Sequence, residues 1–386
     1  MYNLRHSLNH LHIKYLKNRE LDDFYISVFL KSFAGSFIAI FVPIYLFTLG
    51  FTIKEIVLFF VVIFSLMAIF MFTGLKLCSY IGVKKVLVIG TFFLLLTNYF
   101  LYQIPFGTHY LIAALVLGIS HGMYYSAYHV DFVRSAVSKK EASEVSIIKI
   151  IMIITAATGP LIGAYLITKF SYDFVFILVG VILAASIIPL FLTKDFRIPK
   201  EKTTLKKIFK ADSYSKALAY QVEGAVYFGD NTFWPLFIFI VLGNVLSLGI
   251  IFSLSSVFLI FLLTKIGKLA DKYTKTTFKI GIFTYIPLWA LRLLFFTPMG
   301  FFITNFLSNI SKSLLDISFN KVVYQDAEKR NNLISYFTFR ENNLALGRLF
   351  MAAILFFTES LIILFTLTAI MTLFYLPFVK ITKNNI

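Results

Sequence analysis

The sequence has few cysteines and few charged side chains for its length. Cys78 is the single cysteine among 386 residues, so no disulfide can form within the chain, and the clustered ligands of a zinc or iron–sulfur site are missing. Charged residues make up 14%, with 19 acidic against 36 basic. Neither the phosphate-binding loop G-x-x-x-x-G-K-[ST] nor the zinc-protease motif H-E-x-x-H occurs. We therefore expect no cofactor, no metal, no direct use of ATP and no enzymatic activity.

Apolar residues dominate instead. They make up 59% of the chain, and the mean hydropathy is +0.84, far above the values of soluble proteins. The net charge of +17 does not indicate a nucleic-acid partner, because the basic residues are scattered between long apolar runs rather than gathered in one domain. The partner expected from this composition is the lipid bilayer.

The apolar runs predict an all-α polytopic membrane protein. A bilayer core needs about 20 apolar residues in a helix, and the chain offers twelve such segments, here numbered 1 to 12. The predicted segments are 24–48, 54–74, 83–103, 109–132, 145–168, 173–193, 217–243, 246–265, 277–297, 300–323, 334–357 and 359–379.

The distribution of Lys and Arg predicts how these segments are oriented. Positively charged loops tend to remain in the cytoplasm, and nearly all loop cations fall on one side, with Lys54 and Lys169 as the exceptions. Both termini are therefore expected in the cytoplasm of a multi-pass protein of the cell membrane. The polar residues 1–23 precede the first apolar run, which is too long for a cleavable signal peptide.

A basic stretch near the middle divides the chain. The predicted organisation is a cytoplasmic N-terminal segment (1–23), a first six-helix bundle (24–193), a cytoplasmic linker (194–216), a second six-helix bundle (217–379) and a cytoplasmic tail (380–386). Within the linker, residues 205–210 (LKKIFK) fit either a basic helix lying on the anionic leaflet or a solvated connection. These two interpretations are equally supported.

A short motif after segment 8 carries a family resemblance. Residues 267–273 (GKLADKY) place a turn and charges where the chain re-enters water, and Thr274 and Lys275 follow. The stretch resembles the loop signature of the major facilitator superfamily, G-x-L-a-D-r/k-f/y-G-r/k, and departs from it at Thr274. The corresponding place in the first half keeps Gly82 and Lys84 but has Ser79 where the family has Asp.

The resemblance covers nearly the whole chain and implies both a fold and a mode of action. It implies two pseudo-symmetric six-helix bundles, as in bacterial members of the family, that rock around a central site in alternating access. It also implies that segments 1, 4, 7 and 10 line the cavity. Gly267, Asp271, Lys272 and Lys275 would form a cytoplasmic gate, with the carboxylate attracted to a helix N-terminus.

Polar residues within the apolar segments are the candidate site, because a charge at the bilayer centre costs about 2.5 to 3.5 kcal/mol on insertion scales. They concentrate in segments 1, 4, 7 and 10, the segments that the resemblance places around the cavity. In segment 10, Asn305, Asn309, Lys312, Asp316 and Asn320 recur at helical spacing and share one face. The predicted residues of the solute or proton cavity are Lys31, His121, Tyr125, Tyr128, Glu223, Tyr227, Asp230, Trp234, Asn309, Lys312, Asp316 and Arg348.

Each candidate also has a structural interpretation. Lys31 lies near a helix end, from which a lysine can extend to water, and His121 fits a packed, hydrogen-bonded ring. Lys312 and Asp316 could neutralise each other within one turn, and Arg340 and Glu341 are expected to form structural pairs. Arg348 lies deep enough to contact an anionic solute. In segment 5, residues 159–163 (GPLIG) resemble the core of an antiporter signature of the family. The alternative interpretation is that these small residues allow close helix packing.

Together these features predict a monomeric secondary transporter of a small solute. Proton coupling through Asp230 or Glu223 is a hypothesis, since burial favours a protonated carboxyl group and a nearby lysine opposes it. The alternatives are a gradient-independent facilitator, a multidrug or metabolite exporter, a non-transporting receptor and a lipid-handling protein on the same fold. The substrate and the direction of transport do not follow from the sequence.

Overall fold

The computed structural model describes residues 19–137, 142–192, 194–200, 203–330 and 332–381. Within these ranges the regular structure is helical and no strand occurs. Most of the predicted N-terminal segment, the central part of the loop after segment 4 and nearly all of the C-terminal tail lie outside the described residues. The predicted all-α fold class is confirmed.

The α-helices follow the predicted segments closely. In chain order they are α1 (Arg19–Ser36), α2 (Val42–Thr48), α3 (Ile53–Tyr80), α4 (Val83–Gln103), α5 (Tyr110–Val137), α6 (Ala142–Lys169), α7 (Tyr172–Phe191), α8 (Leu205–Phe209), α9 (Tyr214–Tyr227), α10 (Trp234–Leu242), α11 (Val245–Lys272), α12 (Thr274–Arg292), α13 (Pro298–Glu328), α14 (Leu333–Thr358), α15 (Leu361–Thr372) and α16 (Leu376–Ile381). Segment 1 comprises α1 and α2, segment 7 comprises α9 and α10, and segment 12 comprises α15 and α16. Helix α8 belongs to the linker, and every other helix is one segment.

Most of these segments are long and apolar enough to cross a membrane. By length and composition, eight qualify within the described part of the chain: segments 1, 2, 3, 4, 6, 7, 8 and 12. The other predicted segments are helices α6, α12, α13 and α14, with 28, 19, 31 and 26 residues. At a rise of about 1.5 Å per residue each can reach across a hydrocarbon core of about 30 Å. Helices α13 and α14 also carry charged residues of the candidate site.

The helices form two bundles with the same internal pairing. In the first half, segment 4 packs on segments 2 and 3, segment 6 packs on segment 3, and segment 1 packs on segment 5. In the second half, segment 10 packs on segments 8 and 9, segment 12 packs on segment 9, and segment 7 packs on segment 11. The halves meet mainly where segment 5 contacts segment 8 and segment 2 contacts segment 11. This repeated pairing is the pseudo-symmetry expected from the sequence.

Glycines allow two equivalent helix pairs to approach closely. A Cβ atom on Gly159 of segment 5 would lie 1.9 Å from Ser36 Oγ of segment 1. A Cβ atom on Gly347 of segment 11 would lie 1.8 Å from the carbonyl oxygen of Gln221 in segment 7. Small residues are the usual means of such contacts between membrane helices. The interpretation of the glycines in segment 5 as packing residues therefore has direct geometric support.

Two of the segments that carry candidate residues are interrupted. A 3₁₀ turn, Ala39–Phe41, joins the two helices of segment 1. A π-helical turn, Phe228–Phe233, joins the two helices of segment 7, and it contains the buried Asp230. A π turn widens the helix locally and changes the direction in which side chains project. The turn thus positions Asp230 within the second half.

Candidate functional site

The carboxylate of Asp230 lies between two cations. Its Oδ1 atom accepts from Arg292 Nη1 at 2.6 Å, and its Oδ2 atom accepts from Lys312 Nζ at 2.7 Å. Lys312 also contacts Asn231 Oδ1. Segments 7, 9 and 10 each contribute one charged residue, so the cluster joins three helices of the second half. We call Asp230, Arg292 and Lys312 the ion cluster.

Arg292 is the member of the ion cluster that sequence reasoning missed. Its guanidinium lies 4.7 Å from the ring centroid of Trp234 and 4.5 Å from that of Trp289, and only 1% of the side chain is exposed. Its Nη2 atom donates to Asn305 Oδ1 at 3.3 Å, and Asn305 in turn donates to Ser255 Oγ at 2.9 Å. Aromatic faces and amides therefore hold this cation inside the second half.

This packing affects Trp234 and the polar face of segment 10. Trp234 is fully buried, and we therefore place it in support of Arg292 rather than on a solute path. The stripe on segment 10 also divides, because Asn305 is buried against Arg292 whereas Asp316 is exposed and Asn309 is half-buried. Among the described side chains, no lysine or arginine nitrogen lies within 4 Å of the Asp316 carboxylate. Lys312 pairs with Asp230 in segment 7 instead of with Asp316 one turn away.

Two further ion pairs lie along segment 11. Arg348 Nη1 contacts Glu341 Oε1 at 2.8 Å, and Arg340 Nη2 lies 3.5 Å from Glu223 Oε1 in segment 7. Both Arg340 and Glu341 are paired as expected, and the structure shows that their partners are different residues. Adjacent residues on a helix point about 100° apart, so neighbours in sequence turn toward different partners. The second oxygen of Glu223, Oε2, is buried without a hydrogen-bond partner.

Arg348 also reaches the interface between the halves. Its guanidinium lies 4.9 Å from the ring centroid of Phe64 in segment 2 and 5.1 Å from that of Tyr227 in segment 7. Its Nη1 atom lies 3.7 Å from Met67 Sδ, also in segment 2. The Tyr227 side chain is exposed, which fits a residue facing the space between the halves.

The first half contributes a lysine held by aromatic rings. Lys31 Nζ lies 3.8 Å from the ring centroid of Tyr124 and 5.2 Å from that of Tyr125. The His121 ring packs edge-on against Tyr125 at 5.6 Å between centroids. Within the part of the chain whose side chains are described, no carboxylate lies within 4 Å of Lys31 Nζ. Aromatic faces are therefore the described contacts of this cation.

The predicted Tyr128 belongs to a contact between the halves that sequence reasoning missed. The Tyr128 ring packs against His129, whose Nδ1 atom lies 3.0 Å from the Tyr324 hydroxyl in segment 10. The His129 ring also stacks on Phe337 in segment 11, with 5.0 Å between centroids. His129 lies four residues after Tyr125, on the same face of segment 4, and this spacing is the signal that could have identified it.

A second contact between the halves involves the π turn of segment 7 that contains Asp230. Phe60 of segment 2 packs edge-on against Phe233 at 6.0 Å, and Phe64 packs against Phe228 at 6.2 Å. In segment 2 these residues precede Met67, whereas His129 and Tyr324 lie toward the predicted cytoplasmic ends of their helices. The halves thus touch in two zones, one at the predicted cytoplasmic ends of segments 4 and 10 and one at the π turn of segment 7 that contains Asp230.

The predicted gate residues lie at the end of α11 and the start of α12. The Asp271 carboxylate is exposed, and its Oδ1 atom lies 3.3 Å from Lys321 Nζ of segment 10. Lys321 also donates to the Asp271 carbonyl oxygen at 3.0 Å. Lys272 lies over the Tyr273 ring, and Gly267 has open space where a Cβ atom would stand. The contacts described for Asp271 thus lie within the second half, and the gate role of Gly267, Asp271, Lys272 and Lys275 stays a prediction.

The corresponding loop of the first half uses a carboxylate from elsewhere in the chain. Ser79, which replaces the motif aspartate, is buried and donates to the Lys76 carbonyl oxygen at 2.7 Å. Asp195, from the linker, accepts from the backbone nitrogens of Lys84 at 2.8 Å and Lys85 at 3.2 Å. A carboxylate therefore does bind at a helix N-terminus here, but the linker supplies it.

One short pattern in segment 4 matches an enzyme motif. Residues 118–122 (GISHG) match G-x-S-x-G, which in hydrolases forms a sharp turn between a strand and a helix. Here the pattern lies inside α5, and Ser120 Oγ donates to the Gly90 carbonyl oxygen at 2.8 Å. The serine is buried in helix packing, so the geometry of a nucleophile elbow is not present.

Comparisons with known proteins agree with this architecture. The sequence model described as Major Facilitator Superfamily matches residues 24–342. A search of curated proteins finds no match. Similar solved structures include a POT family transporter in complex with 5-aminolevulinic acid (TM-score 0.68, 14% identity, 95% of this chain and 97% of that chain) and the nucleoside transporter NupG (0.67, 14%, 95% and 100%). The human organic anion transporter MFSD10 is also similar (0.64, 14%, 93% and 98%).

Proposed function

The chain belongs to the major facilitator superfamily, a family of transporters, and on that premise we propose that it moves a small solute across a membrane by alternating access. The charged and aromatic residues at the interface between the halves support this proposal. They come from both halves, so a solute bound among them would touch both bundles and would respond when the bundles move. We also propose that the protein acts as a monomer in the cell membrane, with both termini in the cytoplasm.

The proposed solute carries a negatively charged group. Lys31 is the observation that carries this step, because its ammonium faces aromatic rings and has no described carboxylate partner. A charge inside the membrane is costly unless it is paired or reaches water. An anionic group of the solute would pair with Lys31 from the first half. Arg348, which borders the same interface, is the second candidate contact.

Proton coupling is proposed through carboxylates of the second half. Asp230 is already held by two cations, whereas Asp316 is exposed and has no cation within 4 Å among the described side chains. Glu223 has one oxygen without a partner. Asp316 and Glu223 are therefore better candidates for an exchangeable proton than Asp230. A gradient-independent facilitator is the alternative, and transport unaffected by a pH gradient would favour it.

A thermal-shift screen of the purified protein tests the proposed substrate class. The panel contains organic anions, amino acids, neutral sugars and nucleosides, and cationic drugs. We expect compounds with an anionic group to raise the unfolding temperature of the wild type and to lose most of this effect in Lys31→Met. Lys169→Met is the matched control, because Lys169 is exposed at the end of α6.

Two results would contradict the proposed substrate class. One is stabilisation by neutral or cationic compounds with none by anions. The other is equal stabilisation of the wild type and Lys31→Met by the same anion, which would mean that Lys31 extends to water and does not bind solute. Stabilisation without transport in proteoliposomes would favour a receptor on the same fold.

A further inference from the structure

A cavity on the predicted cytoplasmic face lies apart from the central site. It has a volume of about 570 Å³ and lies between the linker helix α8 and the connection from segment 10 to segment 11. The polar residues that line it include Lys206, Lys207, Lys210, Arg330, Asn332 and Ser335. The cavity is thus built by two parts of the chain that are more than a hundred residues apart in sequence.

The lining of this cavity is strongly basic. It contains three lysines and one arginine and no acidic side chain. The nearest described counter-charge is Asp212, which lies 3.3 Å from Arg330 Nη2 and also contacts Lys216. Lys206 and Lys210 are exposed, and neither has an ion pair with the described carboxylates. Asp212 is buried and shared by Arg330 and Lys216, so Lys206 and Lys210 give the cavity an excess of positive charge.

A buried hydroxyl provides a second indication of a ligand. Ser335 lines the cavity, its side chain is 4% exposed, and its Oγ atom has no hydrogen-bond partner. The serine is in the first turn of α14, a helix of 26 residues, and its backbone nitrogen donates to Asn332 Oδ1 at 2.8 Å. The positive end of this helix dipole therefore adds to the charge of the lysines. Cations, a hydroxyl donor and a helix N-terminus together are the groups that bind phosphate in proteins.

The linker helix combines this basic face with an apolar one. Ile208 is 4% exposed and packs toward the second half, where α8 contacts α14. Phe209, the next residue, is 72% exposed. An exposed ring beside a basic cavity suits the boundary between headgroups and acyl chains, where cationic helices meet anionic lipids. Helix α8 is therefore docked on the protein and still presents cations and a ring outward. Its position on the anionic leaflet stays a prediction.

We propose that this cavity binds a phosphate group, carried either by an anionic phospholipid of the adjacent leaflet or by a soluble phosphate compound. The bound group contacts cations of the lining and holds the linker against the start of segment 11. The linker connects the two halves, so occupancy of the cavity stabilises the position of α8 on the second half. This site is distinct from the ion cluster, and the proposal does not depend on the identity of the transported solute.

Thermal unfolding of the full chain in neutral detergent tests the proposal in two arms. One arm titrates phosphatidylglycerol against phosphatidylcholine, and the other titrates pyrophosphate against sodium chloride at equal ionic strength. The cavity variant is Lys206→Gln/Lys207→Gln/Lys210→Gln. The matched control, Lys265→Gln/Lys268→Gln/Lys279→Gln, removes the same charge from exposed positions of α11 and α12. Ser335→Ala removes the unpartnered hydroxyl with little risk to folding.

We expect phosphatidylglycerol to stabilise the wild type and the control. In the cavity variant, the lipid concentration at half-maximal stabilisation should rise about tenfold or more, because each lysine near an anionic surface adds to binding. A parallel effect of pyrophosphate assigns the site to phosphate in general, and its absence assigns the site to the lipid. Equal half-saturation in the wild type and the cavity variant for both ligands would overturn the proposal. If the cavity variant does not fold, Ser335→Ala provides the test. We expect this variant to bind the same ligand several-fold more weakly than the wild type, and unchanged binding would contradict the proposal.

Discussion

Asp230 and Asp316 are carboxylates of segments 7 and 10 with different surroundings. Asp230 is buried and contacts both Arg292 and Lys312. Asp316 is exposed and has no such partner among the described side chains. Removing one partner from a buried ion pair costs about 3 to 5 kcal/mol, because the other charge stays buried without compensation. We therefore propose that Asp230 stabilises the second half and that Asp316 exchanges a proton with the space between the halves.

The two isosteric variants Asp230→Asn and Asp316→Asn test this division. We expect Asp230→Asn to lower the unfolding temperature clearly, since it leaves Arg292 and Lys312 without their counter-ion. We expect Asp316→Asn to unfold near the wild-type temperature and to lose uptake driven by a pH gradient while keeping exchange of solute. The measurements are thermal unfolding in detergent and uptake into proteoliposomes with and without the gradient.

The opposite pattern would contradict the division. A stable Asp230→Asn variant would mean that the ion cluster contributes little to folding. Gradient-driven uptake that persists in Asp316→Asn and fails in Glu223→Gln would move the proton to Glu223. If both variants keep gradient-driven uptake, the proposal of coupling through these residues is wrong.

At this scale the sequence identified the residues better than their partners. The spacing of Asp230 and Lys312 placed them on polar faces of segments that meet, and the structure joins them directly. Arg292 was not assigned to the cluster, because nothing in segment 9 shows which of its faces turns toward segment 7. Its aromatic neighbours come from segments 7 and 9, and such a contact depends on how the helices pack rather than on local spacing.

Helices pack most closely where glycine replaces a side chain. In the second half, Gly224 and Gly347 lie at the crossing of segments 7 and 11, and a Cβ atom on either would come within 2.0 Å of a carbonyl oxygen of the other helix. A backbone atom cannot move aside as a flexible side chain can. The crossing sets the position of Glu223 relative to Arg340, so its geometry affects the candidate site as well as the stability of the bundle.

Gly347→Ala should destabilise the protein by about 1 to 3 kcal/mol, the usual cost of overpacking. Gly180→Ala is the control, because a Cβ atom on Gly180 meets nothing within 4 Å. Thermal unfolding of the two variants beside the wild type measures the difference. An unfolding temperature of Gly347→Ala equal to that of Gly180→Ala would show that segments 7 and 11 separate without cost.

Segments were the part of the fold that the sequence predicted well, because an apolar run of sufficient length has few other uses. Predicted and observed ends mostly differ by a few residues, although segments 2, 4, 8 and 10 continue beyond their predicted ends to Tyr80, Val137, Lys272 and Glu328. The apolar runs stop at charged residues near those ends, whereas a helix that leaves the membrane can continue as a polar helix. The length of the apolar run therefore underestimates the length of the helix. The π turn at Phe228–Phe233 also has no local signature, as the packing around Asp230 determines it.

At the scale of the whole molecule, the two halves touch in two zones. On the predicted cytoplasmic side His129 contacts Tyr324 and stacks on Phe337, and on the other side Phe60 packs against Phe233. Alternating access requires that the halves separate on one side at a time. The contact between His129 and Tyr324 must therefore break during each cycle if segments 4 and 10 are to open a path.

A reversible cross-link across this contact tests that requirement. His129→Cys/Tyr324→Cys in a Cys78→Ala background places two thiols where the halves meet, and the background removes the native cysteine. A short bis-methanethiosulfonate reagent joins them, and a reducing agent releases them. The single variants His129→Cys and Tyr324→Cys, treated with the same reagent, control for modification without cross-linking.

Solute counterflow into proteoliposomes containing this double variant tests the central claim most directly, with the labelled ligand selected by the thermal-shift screen. We expect the reduced protein to accumulate label transiently, to lose this accumulation after cross-linking and to recover it on reduction, and we expect the single variants to be unaffected. Accumulation that continues unchanged in the cross-linked protein, or reduced protein that exchanges no more label than protein-free liposomes, would contradict it.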